Sequence, residues 1–323
     1  MIAKATALER QKTGLRASPW LANVTTAVMN TSGFMNGSGG ICRQLEIPLE
    51  VYLILGGVGM LENLLVIIAV VNNRNLHSPM YLFICSLAMA DMLVSVGKAS
   101  EAVIIFLDQN SHLLTETLID HLDYLFDSLI CISLIASILS LGAIATDRYL
   151  TIFHALRYHQ IMTVKRAALI ISALWTFCTF SGSFIIKFNR KNAFPGSLIT
   201  MYFTTLFVIV SLYVYMFLLA RRHAQCIRSL PGQRVHQGTS LKGAITLTIL
   251  LGIFIICWAP FFLHLILVLA CPSNPYCTCY MSLFQVDLIL IMCNSIIDPL
   301  IFAFRSPELR NTFKKITHTW LAF

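Results

Sequence analysis

The stretch DHLDYLFDSLICISLIASILSLGAIATDRY, from Asp120 to Tyr149, is long, apolar and free of Pro, and its charges lie only near its ends. It reads as one helix crossing a membrane. Asp127 and Arg148 are 21 residues apart, which at about 1.5 Å per helical residue separates them by roughly 31 Å, about one hydrocarbon thickness. One end can meet a ligand while the other meets cytosol. Asp123 and Asp127 stand four residues apart, so both project from one helical face near the membrane surface. The opposite end carries Asp147-Arg148-Tyr149.

The composition generalises this reading. With 57% hydrophobic and 12% charged residues, the chain departs from soluble domains, whose charged share is about a quarter. Seven apolar stretches have spanning length, at roughly 47–71, 79–106, 120–149, 166–187, 196–220, 241–270 and 280–304. The expected fold is an all-α seven-helix membrane bundle over 46–305, preceded by a polar tail (1–45) and followed by a short amphipathic helix and tail (306–323). Lys and Arg resist translocation, and they crowd one side: Arg74, Arg148, Arg157, Lys165, Arg166, Arg221, Arg222, Arg228, Arg234, Lys242, Arg305, Arg310, Lys314 and Lys315. That side is cytoplasmic and the first tail extracellular. The net charge of +8 therefore marks a face on membrane lipid, with no nucleic-acid partner.

The first tail holds three Asn-x-Ser/Thr sequons, at Asn23, Asn30 and Asn36, expected to be glycosylated. No cleaved signal peptide is evident, so the first span is expected to serve as the signal; Met1 and Met29 are both possible starts. The first span has Gly56-Gly57 for close packing and then Asn63, read as architectural. The second carries Asp91 and, ten residues outward, Glu101, at the depth of Asp123 and Asp127. Nine acidic residues lie in the outer half: Glu46, Glu50, Glu101, Asp108, Glu116, Asp120, Asp123, Asp127 and Asp287. No acidic residue occurs between Asp147 and Asp287, so the cytoplasmic end of span six, where Ser240 sits, offers Arg148 no carboxylate. Cys42, Cys271, Cys277 and Cys279 make an even number of outer cysteines, as expected in an oxidising compartment. Ser306-Pro307-Glu308 starts the amphipathic helix with a cap, a first-turn Pro and an acid at the positive dipole end.

Several motifs fall in the order of the rhodopsin-like G protein-coupled receptors: Asp91 in span two, Asp147-Arg148-Tyr149 ending span three, Trp175 in span four, Cys257-Trp258-Ala259-Pro260 in span six and Asp298-Pro299-Leu300-Ile301-Phe302 in span seven. The resemblance implies that Arg148 is released towards a G protein, that Trp258, Pro260 and Pro299 belong to the activation machinery, and that Asp91, Ser137, Asn294 and Asp298 form a sodium site. Phe302 stands where relatives keep Tyr, and Asp123 stands where most keep a Cys bridged to the second outer loop. That loop, KFNRKNAF (187–194), has no Cys. Ile130 replaces the ammonium-binding Asp of amine receptors, and span seven lacks the Lys that would hold retinal.

The missing outer disulfide, the short second outer loop, a fifth span without Pro after Pro195, the acidic set Glu101, Asp123 and Asp127, and the PMYLFICSLAMAD and CPSNPYC segments together resemble the melanocortin receptors. This resemblance covers roughly residues 42–317 and implies peptide agonists with a His-Phe-Arg-Trp core, coupling to Gs and a rise in cAMP. It implies calcium held by Glu101, Asp123 and Asp127, ligand contacts at Phe261 and His264, and disulfides pairing Cys271 with Cys277 and Cys42 with Cys279. FHALRYH (153–159), CPSNPYCTCYMSLFQV (271–286) and FRSPELR (304–310) look most like the subtype for corticotropin (ACTH), for which an accessory single-span protein is implied. HQIMTVKR (159–166) and the stretch from Pro231 to Gly252 look more like the broader subtypes, which take MSH-type peptides. A seven-helix transporter or intramembrane enzyme is the other class to weigh, but the two halves show no repeat, and no nucleophile-base set stands out.

Overall fold

The computed structural model describes residues 47–111, 116–154, 157–188, scattered positions between 196 and 218, 237–270 and 283–321. Helices follow the apolar stretches: α1 Leu49–Asn72, α2 Pro79–Ser111, α3 Glu116–Phe153, a one-turn α4 Tyr158–Ile161, α5 Val164–Phe188, α6 Gln237–Ala270, α7 Phe284–Arg305 and α8 Pro307–Leu321. Six of them, α1, α2, α3, α5, α6 and α7, are long and apolar enough to cross a membrane. The described positions of stretch 196–220 are helical. In hydrocarbon every backbone N–H and C=O must be satisfied within its own segment, which is why the spanning units are helices.

The long α3 is the central post. It packs on α2, α5 and α6, while α7 closes the bundle against α1, α2 and α6. Leu134, Ile138, Leu141 and Ile144 of α3 are buried in one core with Leu87 of α2, Phe254 and Trp258 of α6 and Met292 of α7. The outer surface is apolar too: Leu169, Phe180, Phe207, Ile256 and Phe304 are largely exposed, as suits a molecule whose lateral solvent is lipid.

Small residues set the closest approaches. A Cβ on Gly56 would lie 2.6 Å from the Ala99 Cβ, and one on Gly59 would collide with the Ser95 hydroxyl, so α1 lies directly on α2 there. Gly57 meets nothing within 4 Å. The Gly56-Gly57 expectation therefore holds for Gly56 alone. Residues three apart share a helical face, and the next residue along turns about 100° away.

Hydroxyl and amide side chains supply the remaining ties. Asn63 is fully buried and donates to the carbonyls of Gly59 (2.9 Å) and Ser295 (2.8 Å), fastening α1 to α7. The Trp175 indole N–H donates to Ser86 Oγ at 3.0 Å, and Ser86 shares a 3.0 Å bond with Ser140, so α5, α2 and α3 meet through two hydroxyls. On the exposed side of α5, Ser172, Thr176 and Thr179 donate to the carbonyls of Ala168, Ser172 and Trp175 at 2.9, 2.8 and 2.8 Å.

At the C-terminal end of α7, Ser306 Oγ accepts from the Leu309 N–H at 3.2 Å and caps α8 as expected. Tyr81 of α2 bonds Ser306 at 2.9 Å and donates to Glu308 at 3.3 Å, while Asn73 donates to Thr312 at 2.8 Å. Hydrogen bonds from Glu308's own backbone N–H, and then from Ser306 and Tyr81, hold the Glu308 carboxyl below its usual range. Leu309 and Thr312 are buried and Phe313 and Ile316 half-buried, whereas Arg310, Lys314 and Lys315 are exposed, so α8 has the amphipathic face read from sequence.

Candidate functional site

The outer half of the bundle collects charge around helices α2, α3, α6 and α7. Asp127 of α3 is 5% exposed, and Glu101 of α2 is half-buried. Glu101 is bound by Lys98, one turn back on the same helix, with Nζ to Oε2 at 2.6 Å. Lys98 is itself 4% exposed. Asp123 lies on the helical backbone of α3, but its side chain is outside the described residues, as are Cys42, Cys271, Cys277, Cys279 and the three sequons.

In the same outer half, His264 of α6 and Asp287 of α7 are each buried, with Nδ1 3.4 Å from Oδ2. The Asp287 carboxylate was legible only as one more acid of the outer half; its pairing with His264 was not. Phe284 lies 4.9 Å from the His264 ring and 6.0 Å from Phe261, between centroids. Phe261 meets Trp258 edge-on at 6.3 Å, and Trp258 stacks on Phe254 at 5.7 Å. Phe262 stacks on Tyr202 of the fifth span at 3.7 Å. An aromatic column thus runs from the outer half to Trp258, so a group pressing on Phe261 or His264 presses on the part of α6 that carries Pro260.

Below the column, Asp91 of α2 and Asp298 of α7 are both 1% exposed. Ser137 donates to Asp91 at 3.4 Å, and Asn294 donates to Asp298 at 3.3 Å. The two carboxyls are close enough to act on each other electrostatically. Such a pair stays together only around a shared proton or a cation. All four residues named from sequence thus come to one place, between α2, α3 and α7.

At the C-terminal end of α3, Asp147 is fully buried and engaged by two residues: Arg148 donates to Oδ2 at 2.5 Å, and Tyr158 of α4 donates to Oδ1 at 2.8 Å. Arg148 is therefore held within its own motif. Tyr149 packs on His154 and on Tyr215 of the fifth span, at 5.9 and 6.0 Å. Tyr158 escaped the sequence reading, since its link to Asp147 depends on the turn that follows α3.

Hard oxygens at one depth on α2 and α3 suit a calcium ion by chemistry. Among the described residues no three potential metal ligands come together, Asp123 being outside them. Glu101 and Asp127 are carboxylates that suit a cation, and Lys98 already supplies a positive charge to Glu101.

This architecture is that of a helical membrane receptor, with carboxylates at one end of its bundle and an Arg latched to its neighbouring Asp at the other. Residues 62–302 match the family model described as 7 transmembrane receptor (rhodopsin family). The chain is 57% identical to melanocortin receptor 4 of Danio rerio over 290 residues, 89% of each chain. It is 58% identical to melanocortin receptor 5 of Mus musculus over 277 residues, 85% of each. With melanocortin receptor 3 of Rattus norvegicus the identity is 52% over 302 residues, 92% of this chain and 94% of the relative. The chain belongs to the rhodopsin family of seven-transmembrane receptors and, within it, to the melanocortin receptors. It is a multi-pass plasma-membrane receptor and not an enzyme.

Proposed function

We propose that this receptor is activated by melanocortin peptides carrying the basic His-Phe-Arg-Trp core and couples to Gs, raising cAMP. The observation that carries this reading is the pair of outer carboxylates, buried Asp127 on α3 and half-buried Glu101 on α2, in the same half of the bundle as an aromatic column that ends at Trp258. A basic aromatic peptide matches that pairing of charge over rings. Glu101, Asp123, Asp127, Phe261 and His264 form the ligand site. Its three carboxylates would hold calcium, which when bound supplies positive charge shared between receptor and peptide. Asp91, Ser137, Asn294 and Asp298 take sodium. Asp147, Arg148 and Tyr149 face the G protein, and the basic face of α8 lies on the inner leaflet.

The first tail is extracellular and glycosylated at Asn23, Asn30 and Asn36. Disulfides join Cys271 to Cys277 and Cys42 to Cys279. ACTH is supported as the agonist by residues 153–159, 271–286 and 304–310, and an accessory single-span protein then assists surface delivery. A broader MSH-type selectivity is supported by 52–58% identity to melanocortin receptors 3, 4 and 5. The deciding experiment is cAMP production in cells given ACTH or a short MSH-type peptide, with and without the accessory protein. A response to ACTH alone selects the first selectivity, a response to both selects the second, and silence to both removes the receptor–ligand assignment.

A further inference from the structure

A fully buried ammonium is uncommon, because Lys ordinarily runs its stem along apolar surface and keeps its head in water. Lys98 is 4% exposed and lies seven residues outward of Asp91, about 10 Å along α2 and inside the bundle. A buried charge persists only when paired. Its partner is Glu101 at 2.6 Å, one turn further along α2. One tethered positive charge therefore already occupies a carboxylate of this site, where a divalent ion would have to bind.

We propose that Lys98 is the resident counter-cation of the outer carboxylate site, and that a divalent cation enters only by displacing this ammonium from Glu101. The inference rests on the reading that Glu101 and Asp127 hold calcium, and it adds the group that sets how much calcium is needed. Two consequences follow from charge alone. Without calcium the site is already partly neutralised, so the carboxylates do not force α2 and α3 apart. With calcium, the ion must work against a neighbouring positive charge and against an ion pair that, being intramolecular, is always at high local concentration.

The test uses the purified full-length receptor without peptide, so a failed peptide assignment leaves its readout intact. Thermal unfolding is followed from EGTA to millimolar calcium for the wild type and for Lys98→Met, Lys98→Gln and Lys98→Arg. Removing one unit charge beside the ion should move the calcium midpoint of Lys98→Met to about tenfold lower concentration or further. Lys98→Arg, which keeps the charge, should behave as the wild type. Lys98→Gln retains an amide donor towards Glu101 without charge and gives the same reading should the Met variant not fold. An identical calcium midpoint in the wild type and the neutral variants, or no calcium stabilisation in any of them, would overturn the proposal. A shift in the neutral variants that also vanishes in Lys98→Met combined with Glu101→Gln would locate the effect at this ion pair.

Discussion

Replacing Tyr158 with Phe deletes one oxygen and leaves the ring in place. That hydroxyl donates to Asp147 Oδ1 at 2.8 Å while Arg148 holds Oδ2, so both oxygens of a fully buried carboxylate are engaged. A hydrogen bond to a charged group contributes about 1.5–3 kcal/mol. Tyr158 is only half-buried and water can replace part of the bond, so about 1 kcal/mol is the appropriate size. If the bond exists only in the resting arrangement, its loss shifts the resting-to-active ratio by about fivefold. Burial first, and then Asp147, push the Tyr158 hydroxyl from 10.0 to about 12, so it is a proton donor at any cellular pH. A raised value means that the contribution is complete below pH 10 and fades as pH rises through about 12. The assay is basal cAMP at matched surface expression, and the expected result is a rise of about fivefold. Unchanged or lower basal cAMP in a normally delivered Tyr158→Phe receptor would refute the reasoning.

Ser240→Glu supplies the carboxylate that the cytoplasmic end of α6 lacks; it should lower basal cAMP, and equal basal signalling in both forms would remove that idea. Gly59→Val should destabilise the α1–α2 contact by about 1–3 kcal/mol and cut surface expression, whereas Gly57→Val, facing open space, should not. Ser306→Ala removes the α8 cap at a cost of about 1 kcal/mol, readable as a lower melting temperature. Because Glu308 is held below its ordinary value, its contribution to that junction is present above pH 4.5 and is lost as pH falls through the lowered value. Basic-peptide association should slow as ionic strength rises, and a salt-independent on-rate would contradict steering by the outer acids.

What could be read from the chain was whatever a helix of known pitch turns into geometry. Depth along the axis is linear in residue number, so counting residues alone sets Asp127 against Arg148 and aligns Glu101 with Asp123. The Asp91, Ser137, Asn294 and Asp298 group was accessible only through resemblance, and the described bundle brings these four together. Azimuth was harder. Gly56 and Gly57 look equivalent in sequence, yet a turn of about 100° sends the second away from α2. His264 and Asp287 meet across two different helices, so no spacing rule announces them. The Lys98–Glu101 pair is a three-residue spacing visible in the sequence, but its significance depends on burial, which a list of charges does not contain.

The three hydroxyls along the exposed side of α5 bear on how the chain enters its membrane. Among the described spans theirs is the least apolar, in part because Ser and Thr count as polar. Each of these hydroxyls is already bonded to the carbonyl four residues back, so the polarity that a residue scale registers is cancelled before any other helix arrives. The segment can therefore leave the insertion machinery as a solitary helix, stand in lipid on its own, and dock later on α3 through Gly182, whose missing Cβ would otherwise lie 2.6 Å from Ile132. Substituting these hydroxyls with amides, which cannot fold back so compactly on their own backbone, would tie insertion of this helix to the arrival of its neighbours.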